Sequence, residues 1–227
     1  MIHIIGTSHV SRQSIHEITA YIQSKKPDLI AIELDNGRLQ ALLSNAKPSY
    51  SLAAIPKIGI KGYLFAIIGA WVSKKLGQHV GVTPGEDMKT AAILAKREKI
   101  PLKCIDQPIQ YTLHRFSKTL SWNERWHFIQ DIITGIFRPK KLPFDPSRVP
   151  SSKIVDKLLG YVKRRYPNIY KTLIEERNIY MTARLKKLQD QYPDKHILVV
   201  VGAGHKEGME QILGKGLSYS YTVTVGS

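Results

Sequence analysis

A chain of 227 residues, 43% of them hydrophobic, is long enough to bury one large core, and its composition excludes collagen, disorder and a disulfide scaffold. Its single cysteine, Cys104, excludes an internal disulfide, reads as a small core residue within the apolar run from Leu102 to Ile105, and suits a reducing, cytoplasmic setting. A formal charge of +16 raises the question of nucleic acid, but the basic clusters (Lys25/Lys26, Lys74/Lys75, Lys140/Lys141, Lys163 to Arg165, Lys186/Lys187) are scattered and accompany no zinc-finger, RNA-recognition or basic-zipper pattern, so a solvated basic surface is expected instead.

The chain opens on Met1 to Ile5, a β-branched run that breaks into a polar loop, with no basic region ahead of a long apolar stretch and hence no expected export signal. After Ser11, a candidate N-cap, Ile15, Ile18 and Ile22 recur at helical spacing, and Asp28 to Leu34 is a second strand, giving strand-helix-strand with a right-handed crossover as the default. Residues 49–80 read as a helical lid. Within them Gly62 to Ser73 is apolar, flanked by lysines and too short to span a bilayer, which takes about 20 residues. It suits a core or lid helix, with an interfacial helix on an anionic membrane and a homo-oligomer contact as alternatives.

Thr83-Pro84-Gly85-Glu86 announces a helix through Met88, Ala91, Ala92 and Ala95. Lys103 to Ile105 is a short strand candidate. Ile109, Leu113, Phe116 and Leu120 mark a helix, and Ser121 to Glu124 opens another carrying Trp122, Trp126, Ile129 and Ile133. Residues 138–150, with four prolines and four basic residues, form a linker. A helix over about 168–189 bears an apolar stripe through Ile174, Met181, Leu185 and Leu188 on which Arg177 also falls. His196 to Val201 is the strongest strand, and Ser218 to Val225 alternates weakly, as an edge strand does. Continuous rather than alternating apolarity predicts strands buried on both faces. The expected fold is therefore α/β, a mostly parallel core sheet covered by helices with a helical hairpin or lid inserted, in one domain over 1–227.

Chemistry-bearing residues gather at the strand ends. Gly6-Thr7-Ser8-His9 follows the first strand, Glu33 and Asp35 end the second, Asp106 ends the third, and Gly202-Ala203-Gly204-His205 follows the last. In an open α/β sheet those ends converge on one crevice where ligands bind. Two imidazoles and a carboxylate suit a divalent metal with open positions for an activated water. The ordinary alternative is that His9 caps a helix, His205 bonds a loop carbonyl and Glu33 pairs with an arginine. Arg177, on an apolar face, needs a desolvated partner that Glu33 or Asp106 could supply, or else holds a substrate carboxylate or oxyanion. The glycines after the last strand are spaced G-x-G-x-x-x-G with too little chain beyond for a dinucleotide site, and the other six histidines show no partner pattern.

Taken in order, GTSHVS at Gly6 to Ser11, AIELDNGR at Ala31 to Arg38, GVTPGEDM at Gly81 to Met88, IDQPIQYTLHR at Ile105 to Arg115, EERNIYM at Glu175 to Met181 and VVGAGHKEG at Val200 to Gly208 resemble the TraB/PrgY family, related to the Tiki proteins and more distantly to the ChaN and erythromycin-esterase group. The resemblance implies a metal-dependent hydrolase, a peptidase using manganese or cobalt rather than zinc, with His9, Glu33 and His205 at the metal. It carries Arg38, Asp106, Arg115, Arg177 and Asn178 across as supporting or substrate-facing positions; the catalytic set expected is then Glu33, Asp106 as general base, and Arg177 or Arg115 stabilising developing negative charge, with Arg38 and Asn178 toward substrate and Gly6, Gly202 and Gly204 as motif glycines. It is equally consistent with a non-catalytic protein that sequesters a peptide or other small ligand, as in pheromone shutdown. Gln107 stands where many members carry arginine.

Overall fold

The computed structural model describes residues 1–8, 12–44, 55–56, 58–60, 63, 66–67, 85–137 and 151–214. His9, the caps Ser11, Thr83 and Pro84, most of the lid at 49–80, the linker at 138–150 and the edge strand at 218–225 lie outside the described residues.

Among the described residues four parallel strands form the sheet: β1 (Ile2–Thr7), β2 (Leu29–Ile32), β3 (Leu102–Cys104) and β4 (Ile197–Gly202), in the order β1-β4-β2-β3. The strand latest in sequence pairs on both edges, Ile5 opposite Val200 on one side and Ala31 opposite Val199 on the other. A segment hydrogen-bonded on both edges and covered on both faces has no polar position, which is why residues 197–201 read ILVVV and are 0% exposed. β1 and β2 do not pair, because β4 lies between them.

The period of two divides the strand residues between two cores. Ile30, Ile32, Leu198 and Val200 face helices α1 (Arg12–Lys25) and α3 (Glu86–Arg97), meeting Ile18, Ile22, Met88 and Ala91. Leu29, Ala31, Ile197, Val199 and Val201 face α8 (Glu176–Gln191) and α9 (Ala203–Gly214), meeting Met181, Leu185 and Met209. Helix α3 begins at Glu86, capped by Gly85 in the left-handed region (φ 86°). Cys104, partly buried, packs on the first core, and burial pushes its thiol pKa up.

Between these lie α2 (Asn36–Leu43), α4 (Ile109–Thr119), α5 (Trp122–Phe137), α6 (Ser152–Arg165) and α7 (Pro167–Tyr170). The single helix expected over 168–189 is interrupted: a π-helical turn, Lys171–Glu175, separates α7 from α8. Helices α2 and α6 have no counterpart among the sequence expectations. Glu124 joins the helical layer together. Its carboxylate accepts from Ser121 N (2.9 Å) and Oγ (2.8 Å), the reciprocal capping of α5, and also from Asn168 N (2.7 Å), Asn168 Nδ2 (2.9 Å) and Ile169 N (3.3 Å) at the start of α7.

Candidate functional site

Parallel strands put all their carboxyl ends on one edge, and the first residues beyond them are held by the sheet's own hydrogen bonds. Glu33 N donates to Val200 O (3.0 Å) and Asp106 N to Leu34 O (3.2 Å). Both carboxylates are thereby fixed and nearly closed to water, with side chains 5% and 1% exposed.

Arg177, from the first turn of α8, reaches into this edge. Its Nη2 bonds Glu33 Oε1 and Asp106 Oδ2 (2.7 Å), its Nε bonds Asp106 Oδ1 (3.1 Å), and its Nη1 bonds the Leu173 carbonyl (3.2 Å) inside the π turn. The partner that a guanidinium on an apolar stripe requires is thus doubled. Burial alone would lower the Arg177 pKa, but the fields of Glu33 and Asp106 outweigh it and hold the group above its ordinary value, permanently charged. Arg38 bonds the same Asp106 Oδ2 through Nη2 and Asp35 Oδ2 through Nε (2.6 Å). Asp35 caps α2 through Arg38 N and also receives Ile109 N; burial pushes its pKa up, and these bonds outweigh burial and leave it lowered.

His205, 5% exposed, sits in the first turn of α9. Arg177 Nη1 lies 3.1 Å from its Nε2, and since a guanidinium only donates, Nε2 accepts and the proton is on Nδ1. That Nδ1–H donates to Asn178 Oδ1 at 2.6 Å. Nε2, whose lone pair Arg177 occupies, stands 3.2 Å from Glu33 Oε1, while Glu33 Oε2 takes the Gly202 N–H at 2.6 Å. Thr7 Oγ1 and Ser8 Oγ, at the end of β1, are buried without a hydrogen-bond partner.

The structure so brings together Glu33, Asp106, Arg177, Asn178, His205 and Arg38. It does not bring Arg115 among them: Arg115 forms a two-bond pair with Glu176 (2.6 and 3.3 Å). Asp106, expected as a general base, has Oδ1 accepting from Arg177 and from Gln107 N (2.8 Å), and Oδ2 from both arginines. Its lone pairs are committed to orienting guanidiniums. Gln107 spends its amide on Thr112 Oγ1 (2.8 Å), and Asp106 draws its positive partners from Arg38 and Arg177 instead. The glycines act through space. A Cβ at Gly6 would lie 3.2 Å from the Ala203 Cα, so its absence lets α9 approach β1. A Cβ at Gly204 would make only an ordinary contact with Leu159, 3.7 Å away, and Gly202 contributes its amide to Glu33. Sequence reasoning gave no role to Gly208, where a Cβ would lie 2.2 Å from Asn178 Nδ2; a glycine three residues beyond His205 was the available signal.

The metal expectation can be tested on these atoms. Two donors bound to one ion at about 2.0–2.2 Å stand roughly 3.0–3.5 Å apart, and Glu33 Oε1 and His205 Nε2 stand 3.2 Å apart. The Asn178 bond is the usual device for fixing a ligating imidazole. Among the described residues no three His, Cys, Asp or Glu side chains converge as a metal group, so a third ligand would come from outside them, where His9 lies in sequence. The donor pair fits a divalent ion on one condition: Arg177 must release the single lone pair of Nε2.

Residues 1–224 match the TraB/PrgY/gumN family. The chain is 32% identical over 216 residues to an uncharacterized protein of Methanocaldococcus jannaschii, covering 94% of this chain and 53% of that one. It is 25% identical over 255 residues to a TraB domain-containing protein of Bos taurus and 23% over 256 residues to that of Homo sapiens, in each case covering 99% of this chain and 65% of the relative. It thus spans about half to two thirds of the length of these curated relatives. A solved erythromycin esterase mutant in its open conformation is similar at a TM-score of 0.32 and 13% identity, over 88% of this chain and 60% of the other.

Proposed function

The chain belongs to the TraB/PrgY/gumN family, and we propose that it is a metal-dependent hydrolase acting on peptide bonds, with Glu33, His205 and His9 holding manganese or cobalt. The observation that carries this reading is the 3.2 Å approach of Glu33 Oε1 to Nε2 of His205, a ring that Asn178 holds through Nδ1. The bound ion would supply Lewis-acid polarisation and an activated water. The protein's own residues do the rest. Asn178 keeps the imidazole proton on Nδ1. Asp106, gripped through both oxygens, anchors Arg177 so that a guanidinium released from His205 still faces the crevice and stabilises developing negative charge on a carbonyl oxygen. Arg38 completes that anchor. A cytoplasmic setting belongs to this reading, in keeping with the free thiol of Cys104.

A second reading has its own support. Arg177 engages both atoms that an ion would use, and in a metal-free protein the same arginine would clamp the carboxylate of a peptide or small ligand that is retained and not cleaved.

Calorimetry of manganese, cobalt and zinc on metal-stripped protein separates the two, with His205→Ala, Glu33→Gln and His9→Ala beside the wild type and a peptide-library cleavage assay under the best metal. The expected result is binding weakened on the order of a hundredfold by each substitution and cleavage only with metal. A folded wild type that takes up no metal yet retains peptides overturns the hydrolase in favour of sequestration.

A further inference from the structure

Helix α5 is amphipathic the wrong way round for a helix of the core. At 100° per residue, positions 122 and 126 lie about 40° apart, and the residues by which α5 docks, Glu124, Phe128 and Asp131, lie on the opposite side. Glu124 is 2% exposed and caps α7; Phe128 packs against Phe116, Tyr166 and Ile169; Asp131 accepts from Arg165 Nε (2.8 Å), Arg165 Nη2 (2.6 Å) and the Tyr166 hydroxyl (2.5 Å). Trp122 and Trp126 are left outward, 80% and 62% exposed. Arg125, between them, lays its guanidinium over the Trp122 ring at 4.2 Å.

Glu124 is thus buried and Asp131 is neutralised by Arg165, while two indoles face out on a chain of net charge +16, the Arg125 guanidinium lying against one of them and donating to the Leu120 carbonyl (3.1 Å). Tryptophan and arginine side by side, with no carboxylate among them, complement an anionic lipid surface: the indole settles at headgroup depth and the cation meets phosphate. Two indoles so exposed offer on the order of 300 Å², well short of the roughly 800 Å² that each partner contributes to a standard protein interface. A bilayer demands no matching contour. We propose that the Trp122/Trp126 face of α5 is a peripheral docking surface for anionic membranes.

The test uses the full chain with vesicles of phosphatidylcholine alone and mixed with phosphatidylglycerol, followed by co-sedimentation and tryptophan emission. Wild type is expected to pellet with the phosphatidylglycerol vesicles and to shift its emission to the blue. Trp122→Ala/Trp126→Ala, with an unchanged thermal melt because both residues are exposed, is expected to bind at least about tenfold more weakly. Three outcomes overturn the proposal: no pelleting of wild type, equal pelleting of the double variant (adsorption through charge elsewhere), or a wild-type dimer in sedimentation velocity that the double variant abolishes (a self-association face).

Discussion

Arg177 is where fold and site are hardest to separate. It neutralises two carboxylates that the sheet has already buried, so removing it takes away the guanidinium they share and leaves Asp106 with Arg38 and Glu33 with the Gly202 amide. Arg177→Met is expected to cost about 3–5 kcal/mol in urea unfolding at neutral pH, and Arg177→Lys less, since an ammonium keeps the charge but not the fork that spans Glu33 and Asp106. A loss below about 1 kcal/mol for the methionine variant would show that the cluster does not hold α8 to the sheet. Gly208 acts at one remove from the chemistry. A methyl there meets Asn178 Nδ2 at 2.2 Å, so Gly208→Ala is expected to push Asn178 off His205 and to weaken metal affinity or turnover by about ten- to a hundredfold, with only a modest fall in stability. Asn178→Ala, which frees His205 without a clash, should reproduce the first effect. If it does not, the imidazole is held by something other than that bond.

Among the elements, the junction of α5 and α7 draws on the Glu124 carboxylate beside the packing of Phe128 and the Asp131–Tyr166 bond. Burial pushes the Glu124 pKa up, but the bonds from Asn168 and Ser121 outweigh it and leave it lowered. A lowered carboxylate pKa contributes stability that is complete above the unfolded value of about 4.3 and fades as pH falls through the folded value. Glu124→Gln is therefore expected to lose roughly 2–3 kcal/mol at pH 7, and its urea midpoint should converge on that of wild type as the pH drops below about 4. A gap independent of pH would assign the loss to shape and not to charge. The π turn at Lys171–Glu175 shows where helical periodicity misleads. The stripe through Ile174, Met181, Leu185 and Leu188 is legible as one helix, but the widened turn within it, where the Leu173 carbonyl meets Arg177 Nη1, left no mark in composition. Helix α6 was equally hidden. Its Lys153, Lys157, Lys163, Arg164 and Arg165 dilute the apolar positions, and none of its residues is fully buried.

In the whole molecule, the central position of β4 makes the fold depend on a segment near the end of the sequence. Val199 is 0% exposed, with β1 on one edge, β2 on the other and a helix layer over each face. Val199→Asp is expected to abolish cooperative unfolding in circular dichroism, because a buried carboxylate there has no partner within reach. Ile93→Asp, on the half-exposed side of α3, should stay within about 0.5 kcal/mol of wild type. Equal damage from both would mean that β4 is not central.

The strands, their parallel sense and the strand-end candidates Glu33, Asp106 and His205 were open to reading because burial on two faces forces an unbroken apolar run, and a polar residue that ends such a run must sit at its mouth. Order across the sheet was not open to reading, since an apolar strand fits equally between any two neighbours. Nor was the sharing of Asp106 between Arg38 and Arg177, the exclusion of Arg115 from the cluster, or the outward turn of Trp122 and Trp126. Each of those depends on which face of a helix meets the sheet, and that is settled by the sum of contacts made across long separations in sequence, where the pattern within any one segment carries no information.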